Sequence, residues 1–354
     1  MKHDFFIIVE NPRMNKRTLL VFGIGLILAF LIFTFVRNNS PQLRQLSGQT
    51  MGVIIYNVKY IGLLDDMLQT EVDSVLNAFN QSLSTYIPDS EISDLNNTGK
   101  LTFRSPYFYP VLAISKEIFN KTNGAFDPTV GPLINAWGFG PEEQIPDLDS
   151  AAVDSLLNMT GFEGLSFNEE RATLQENYRL DFSAIAKGYA VDLVGELLEG
   201  KGIENYLVEI GGEVRCRGVN KENKSWSLGI EDPTVAIDER ELLAIVRLKD
   251  FSLATSGNYR NYYEKYGRVY AHIIDPRTGY TTRHNLLSAS VFASDCMTAD
   301  AYATALMVLG PEVSQELVER EDIEAILVFQ EEDGSLGSYV STGIQPFVEL
   351  NKVK

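Results

Sequence analysis

The segment LLSASVFASDCMTADAYATALMVLG, residues 286–310, places a strand-like run directly before a helical one. The first run is rich in residues that suit a pleated, half-buried surface. Further strand-like runs lie on both sides of the segment: NYLVEIGGEVRCRGV, SWSLGIED, LLAIVRLKDFSLATSG, RVYAHIID and EAILVFQ. Because strands and helices are interspersed without regular βαβ alternation, we predict an α+β fold with mixed or antiparallel sheets and packed helices.

Three segments of the first half predict further helices. In LLDDMLQTEVDSVLNAFNQSLS the apolar residues recur on one side at helical spacing: Leu68, Val72, Val75, Leu76 and Phe79. RSPYFYPVLAISKEIFNKTNG predicts a second helix that stops at Gly124. SAIAKGYAVDLVGELLEGKG predicts a third, with Ser183 as its N-cap.

The composition is that of an acidic globular protein. Of its 354 residues, 45% are hydrophobic and 22% are charged, and the formal net charge is −18. Nucleic-acid binding needs clustered Lys and Arg, so this charge argues against it, and an anionic ligand would need a local cation or a helix N-terminus. Two cysteines, Cys216 and Cys296, are too few for a cysteine-built zinc site, and whether they pair is open.

The uncharged run LLVFGIGLILAFLIFTFV, residues 19–36, is long enough to cross a bilayer core of ~30 Å as a helix. Basic residues precede it, so the positive-inside tendency places the N-terminus in the cytoplasm and the rest of the chain outside. A cleaved signal peptide is the alternative, but no small-x-small cleavage pattern follows the run. The predicted organisation is a cytoplasmic segment (1–18), a transmembrane anchor (19–36), a linker (37–50) and one domain (51–354).

The stretch AHIIDPRTGY, residues 271–280, has the chemistry of an ordinary turn between two strands. Asp275, Pro276 and Gly279 are typical turn residues. They do not explain His272, one of only three histidines in the chain. A functional site at this turn is therefore the alternative to a plain hairpin connection.

Two other stretches offer the parts of an anion and metal site. In DFSAIAKGYAVD, residues 181–192, Lys187 falls in the first turns of a helix, where the dipole disfavours a cation unless an anion is also present. In TADAYATALMVLG, Asp300 and Thr304 are four residues apart, share a helix face and carry the hard oxygens that Mg²⁺ prefers. The alternatives are a solvated surface lysine, an aspartate that complements a helix N-terminus and a threonine bonded to its own preceding turn.

The segment FDPTVGPLINAWGFGP, residues 126–141, mixes aromatic residues with Gly and Pro. We predict that it is too broken to be a helix or a central strand and forms a structured loop. This loop either wraps a flat ligand, with Asp127 as a polar handle, or plugs the core with its aromatic side chains.

Eight motifs occur in a familiar order: SGQTMG, LSTYIPDSEISDLN, AFDPTVGPLINAWGFG, DFSAIAKGYAVD, EIGGEVRCRG, ATSGNYR, HIIDPRTG and TADAYATALMVLG. Over residues 47–310 the chain thereby resembles the ApbE family of flavin transferases. The resemblance implies one ApbE-type, T-fold-like domain that moves FMN from FAD to a Thr or Ser hydroxyl of an acceptor protein and releases AMP. It also implies a place on the outer face of the bacterial cytoplasmic membrane, where subunits of membrane redox complexes are the acceptors.

The resemblance implies FAD contacts at nine positions: Met51, Tyr86, Ala125, Phe126, Asp127, Asp181, Lys187, His272 and Ile273. It implies that Asp300, Thr304 and the backbone carbonyl of Ala184 hold Mg²⁺. His272 is the predicted general base, because the other histidine after the anchor, His284, lies outside the matched motifs. Family members often have Asp-x-Gly-Gly where this chain has residues 181–184, but a ligand supplied by the backbone of Ala184 does not depend on the side chain. They often have Gly-Gly-Asp where this chain has Gly211, Gly212 and Glu213, which leaves the role of Glu213 open.

Two other functions fit parts of the same pattern. A Mg²⁺-dependent FAD pyrophosphatase would use the same site, with water in place of the acceptor hydroxyl. A non-enzymatic, membrane-tethered flavin-binding protein is the alternative from a different class, and Asp300 with Thr304 argues against it.

Overall fold

The computed structural model describes residues 16–38, 41–141, 148–235, 241–258, 262–265, 268–271, 273–321 and 323–351. Within these ranges the helices are α1 (Lys16–Asn38), α2 (Leu68–Leu83), α3 (Glu91–Thr98), α4 (Phe108–Lys121), α5 (Gly131–Trp137), α6 (Ser150–Leu157), α7 (Ala186–Gly200), α8 (Cys296–Leu309) and α9 (Pro311–Glu321). The strands are β1 (Gln42–Thr50), β2 (Ile54–Gly62), β3 (Lys100–Thr102), β4 (Leu165–Phe167), β5 (Arg171–Leu174), β6 (Tyr206–Ile210), β7 (Glu213–Arg217), β8 (Trp226–Glu231), β9 (Leu242–Leu248), β10 (Phe251–Gly257), β11 (Tyr262–Lys265), β12 (Arg268–Ala271), β13 (Leu286–Ala293), β14 (Glu324–Gln330), β15 (Leu336–Val340) and β16 (Val348–Leu350).

The main sheet has eight strands in the order β1–β2–β6–β7–β10–β13–β14–β15, and neighbouring strands are antiparallel. Strand β13 lies inside this sheet, where Val291 pairs with Ala254 of β10 and with Ala325 of β14. Its side chains alternate between two buried clusters, with Ala289 and Val291 in one and Phe292 in the other. Both faces of the sheet are therefore covered.

Helices cover one face of the main sheet, and a smaller sheet covers the other. Helix α8 packs on β10, β13 and α7, and its contact with α7 is close, since a Cβ added at Gly188 would lie 2.2 Å from the carbonyl oxygen of Cys296. On the other face, the three-stranded sheet β16–β9–β8 shares a buried cluster with the main sheet that includes Trp226 and Leu253. The predicted α+β class with antiparallel sheets and packed helices is confirmed.

The helices predicted in the first half are also present. Helix α2 buries Leu68, Val72, Leu76 and Phe79 of the predicted stripe, whereas Val75 is half-buried. Helix α4 corresponds to the second predicted helix and ends at Lys121.

The predicted linker over residues 37–50 is wrong for most of its length. Residues Gln42–Thr50 form β1, which pairs with β2 from Gln42 opposite Gly62 to Thr50 opposite Ile54. Positions along β1 alternate between half-buried and exposed up to Thr50, which is buried. Because β1 is an edge strand covered on one side only, its polar residues suit it, and a hydrophobicity pattern does not reveal it.

The prediction that residues 126–141 contain no helix is also wrong, because Gly131–Trp137 form α5. Pro132 lies in the first turn, where a missing N–H costs no intrahelical hydrogen bond, and Gly138 ends the helix with a φ of 84°. The proline and this glycine thus mark the helix ends instead of breaking it. The aromatic side chains are largely buried as expected, and Trp137 Nε1 donates to the carbonyl oxygen of Gly279 at 2.9 Å.

Helix α1 covers the predicted membrane segment at residues 19–36. Several of its apolar side chains are exposed, including Leu20, Phe22 and Phe30. Of the helices in the described ranges, none combines the length and apolarity needed to cross a membrane. The predicted transmembrane anchor is therefore not confirmed.

Candidate active site

Helix α7 begins later than predicted, and a residue of α8 caps it. The predicted N-cap was Ser183, but α7 begins at Ala186, and the Ser183 N–H donates to Asp181 Oδ1 at 2.7 Å in the preceding turn. In the first turn of α7, the N–H of Gly188 donates to Asp300 Oδ2 at 2.9 Å. Asp300 thus complements the start of a helix, but of α7 and not of its own helix.

Helix α8 has its own N-cap, Asp295, which accepts the Thr298 N–H, and Asp192 of α7 binds further N–H groups of the same turn. The Asp192 carboxylate accepts the N–H groups of Cys296 and Met297 at 2.8 to 2.9 Å, and Arg215 Nη1 donates to it at 2.9 Å. Burial raises the pKa of Asp192 to about 6, against the lowering effect of these donors. Each helix therefore holds the first turn of the other, and this fixes where Asp300 lies relative to α7.

Lys187 lies between two buried carboxylates. Its Nζ donates to Glu213 Oε1 and lies 3.5 Å from Asp300 Oδ1. Burial alone would lower the pKa of Lys187, but the charges of Asp300 and Glu213 outweigh burial and raise it. Burial raises the pKa of Glu213. The charge of Lys187 lowers this pKa, and the charge of Asp300 raises it further. The interpretation of Lys187 as a solvated surface lysine is excluded, because only 28% of its side chain is exposed and its ammonium is paired.

A two-glycine turn presents Glu213 to Lys187. Gly211 and Gly212 connect β6 to β7 with φ values of 62° and 107°, a conformation that favours glycine. A Cβ at Gly211 would also lie 2.9 Å from Ile54 Cγ2. In the described part of the chain, Glu213 Oε2 is buried and has no hydrogen-bond partner. The motif EIGGEVRCRG marks this turn, but its pattern does not reveal that the glutamate is buried.

The candidate metal ligands are a carboxylate oxygen of Asp300, the hydroxyl oxygen of Thr304 and the carbonyl oxygen of Ala184. Thr304 lies one turn after Asp300 on α8, with its hydroxyl 3.2 Å from the Ser256 hydroxyl of β10, and Ala184 lies in the turn before α7. Within the described ranges, no three His, Cys, Asp or Glu side chains are grouped to hold a metal. One carboxylate with neutral oxygens still suits Mg²⁺, which takes one or two carboxylates and completes its shell with phosphates and water. The ammonium of Lys187 near Asp300 Oδ1 indicates that this oxygen accommodates positive charge.

Predicted FAD contacts form a second group around Asp181. The Asp181 N–H donates to the carbonyl oxygen of Pro128 at 2.8 Å, which joins the loop before α5 to the start of α7. Residues 125–127 are buried, and Asp127 Oδ1 accepts the N–H and hydroxyl of Thr129 at 2.8 and 2.7 Å. Burial raises the pKa of Asp127 to about 6, although the Thr129 hydrogen bonds lower it. Asp127 therefore folds its own loop and is not an open polar handle.

Tyr86 and Met51 lie on two different connections. Tyr86 is exposed after α2, and partial desolvation together with the nearby Asp181 raises its pKa. Met51 begins the loop between β1 and β2 with a φ of 47° and packs against the main core. The same hairpin reaches the two-glycine turn, because Ile54 lies against Gly211. The structure thus brings Tyr86 close to Asp181, and the Met51 hairpin close to the Glu213 turn.

The turn at residues 273–281 is closed by its own polar groups. The Gly279 N–H donates to the Asp275 carbonyl oxygen at 2.8 Å, and Arg277 Nε and Nη2 donate to the Asp275 carboxylate at 2.9 and 2.8 Å. Ile273 is buried in the main core. His272 lies outside the described residues, so its assignment as base and FAD contact stays a prediction.

His284, the other histidine after the predicted anchor, is bonded to backbone groups, and both cysteines are buried. His284 Nε2 lies 2.8 Å from the Met307 carbonyl oxygen, and the Leu286 N–H donates to Nδ1 at 3.2 Å, which matches a neutral ring with its proton on Nε2. Burial lowers the pKa of His284. Cys216 and Cys296 are buried free thiols, and burial raises the pKa of each.

Comparison with known proteins agrees with the motif order. Residues 48–327 match the ApbE family model. An FAD:protein FMN transferase from Vibrio cholerae is 42% identical over 315 residues, covering 86% of this chain and 92% of that protein. One from Escherichia coli is 35% identical over 333 residues, covering 89% and 92%. The solved flavin transferase ApbE from Vibrio cholerae has a TM-score of 0.77 at 37% identity, over 87% of this chain and 99% of that one. The predicted resemblance is confirmed, and this chain belongs to the ApbE family.

Proposed function

We propose that this protein is an FAD:protein FMN transferase, which moves FMN from FAD to a Thr or Ser hydroxyl of an acceptor protein and releases AMP. The observation that carries the proposal is the cluster of Lys187, Glu213 and Asp300 where α7 meets α8, in a chain 42% identical to an enzyme of that name. With a net charge of −18, the chain needs a fixed local cation to hold a diphosphate. Lys187 is a fixed cation at this place, and because Glu213 and Asp300 already pair with it, the Mg²⁺ proposed below would supply the further positive charge.

The proposed reaction exchanges one P–O bond for another. The bond between the FMN phosphorus and the oxygen that bridges to AMP breaks, and AMP leaves with that oxygen. A bond forms between the same phosphorus and the acceptor hydroxyl oxygen, whose proton passes to a base, for which we propose His272. Lys187 contributes positive charge near the diphosphate, and the cross-capped helices hold together the first turns of α7 and α8, which carry Lys187 and Asp300.

Asp300, Thr304 and the Ala184 carbonyl are the residues that would hold Mg²⁺. When bound, the ion would neutralise charge that develops on the diphosphate oxygens. The carboxylate of Asp300 supplies the charged ligand, and Gly188 keeps it oriented through Oδ2. Ser256 orients the Thr304 hydroxyl.

An assay with FAD, Mg²⁺ and a candidate acceptor, such as a subunit of a membrane redox complex, tests the function. We expect covalent flavin fluorescence on the acceptor band in a denaturing gel, together with AMP in equal amount. AMP with free FMN and an unlabelled acceptor would identify an FAD pyrophosphatase. Bound FAD with neither product would identify a flavin-binding protein.

We also propose that the domain lies on the outer side of the bacterial cytoplasmic membrane and is tethered by residues 19–36. The support is the uncharged run and the basic residues before it. We expect the protein in the membrane fraction, with the intact mass of the uncleaved chain. A mature chain that begins between residues 37 and 47, or recovery in the soluble fraction alone, would contradict the uncleaved tether.

A further inference from the structure

Two carboxylates share the Lys187 ammonium, and one of them is the proposed metal ligand. Asp300 uses Oδ2 to accept the Gly188 N–H at 2.9 Å, so Oδ1 is the oxygen left for a cation. The structure places Lys187 Nζ 3.5 Å from that oxygen. A divalent cation at Oδ1 and an ammonium at the same distance would repel each other, so the ammonium has to move when a metal binds.

Glu213 is positioned to receive the ammonium. Its Oε1 already accepts from Lys187 Nζ. Its Oε2 is buried without a hydrogen-bond partner in the described part of the chain, although an unpaired buried carboxylate oxygen is costly. Because an ammonium has three donors, a small rotation of the Lys187 side chain would let Nζ bond to both Glu213 oxygens and leave Asp300 Oδ1.

The backbone around Glu213 suits this role. The carboxylate is 2% exposed and follows a turn in which both glycines have positive φ. The Glu213 side chain, held this way, cannot easily follow the ammonium toward Asp300. The Lys187 side chain is longer and partly exposed, so it is the side chain that moves.

We infer that Glu213 is a positioning residue that draws the Lys187 ammonium away from Asp300 and thereby sets how readily Asp300 takes a divalent cation. The inference rests on the proposed function, because it assumes the metal site at Asp300 and Thr304. It assigns a role to Glu213, which the sequence alone left open. Glu213 itself does not contact the metal.

The first test measures Mn²⁺ binding to the full protein, without FAD, from the electron paramagnetic resonance signal of free Mn²⁺. We expect E213Q to raise the Kd for Mn²⁺ by ~10- to 100-fold, the size of effect typical of changes in the groups just outside the ligands of a metal. K187M, which removes the competing ammonium, should lower the Kd. E196Q removes one carboxylate from the exposed side of the same helix and should leave the Kd unchanged.

The second test locates the ammonium in a crystal structure with Mn²⁺ bound. We expect Lys187 Nζ within hydrogen-bond distance of both Glu213 oxygens and away from Asp300 Oδ1. Mn²⁺ ligated by Glu213, or Nζ still beside Asp300 Oδ1, would overturn the inference, as would an unchanged Kd in both E213Q and K187M. K187M has an expected result of its own, so the inference can still be contradicted if E213Q does not fold. If the wild-type protein bound no Mn²⁺, the metal site would fail, and the inference with it. Wild-type binding with unaffected variants would reject the inference alone.

Discussion

Replacing Asp300 with asparagine is expected to lower the rate of FMN transfer by ~10³-fold or more at ordinary Mg²⁺ concentration. Loss of the charged ligand would remove several kcal/mol of electrostatic stabilisation, and each ~1.4 kcal/mol is a factor of ten in rate. Asparagine keeps an oxygen that accepts the Gly188 N–H, which caps α7 at 2.9 Å. Alanine would also abolish transfer, but it would leave that buried donor unsatisfied and confound folding with catalysis.

The matched variant is T304V, which removes a neutral hydroxyl from nearly the same shape. Its defect should be milder than that of D300N and should be overcome by raising Mg²⁺, whereas excess Mg²⁺ should rescue D300N only in part. The measurement is a Mg²⁺ titration of the transfer rate for the three proteins, with thermal unfolding as the check on folding. If D300N kept the wild-type Mg²⁺ dependence, Asp300 would only be a helix cap, and the metal site would have to lie elsewhere.

Replacing His272 with asparagine is expected to slow transfer by ~10²- to 10⁴-fold while FAD binding stays largely intact, which is the range for loss of a general base. The surroundings of the alternatives support the assignment. Both ring nitrogens of His284 are within hydrogen-bond distance of backbone partners, and the Asp275 carboxylate accepts two bonds from Arg277. His284 could take a proton only by breaking its bond from the Leu286 N–H, and the Asp275 carboxylate is held in an ion pair by Arg277.

Single-turnover transfer and FAD affinity, measured on the same preparations, check this prediction. H284N serves as the control, because loss of its bond to the Met307 carbonyl oxygen should lower the melting temperature without a comparable loss of rate. Near-normal single-turnover transfer by H272N would reassign the base, and Asp275 released from Arg277 would be the next candidate.

Much of the fold was predictable because its signals are local. Residues 286–310 indicated a strand followed by a helix, and these are β13 and α8. The apolar spacing of α2 identified its buried stripe. Two predictions from local signals were wrong. Strand β1 was taken for a linker because it is polar, as suits a strand with only one face covered. Helix α5 was missed because its proline and glycine, which mark the ends of the helix, were taken to break it.

The sequence by itself determined the α+β class, the family and the candidate roles of Lys187, Asp300 and Thr304, because each rests on residues close together in the chain or on the order of motifs. Tertiary structure alone decided that Asp300 caps α7, that Asp192 binds N–H groups in the first turn of α8 and that Glu213 is buried against Lys187. The first two contacts join residues 112 and 104 positions apart. A helical or strand period describes neighbours within a few residues, whereas a cap supplied from another helix depends on the path of the whole intervening chain.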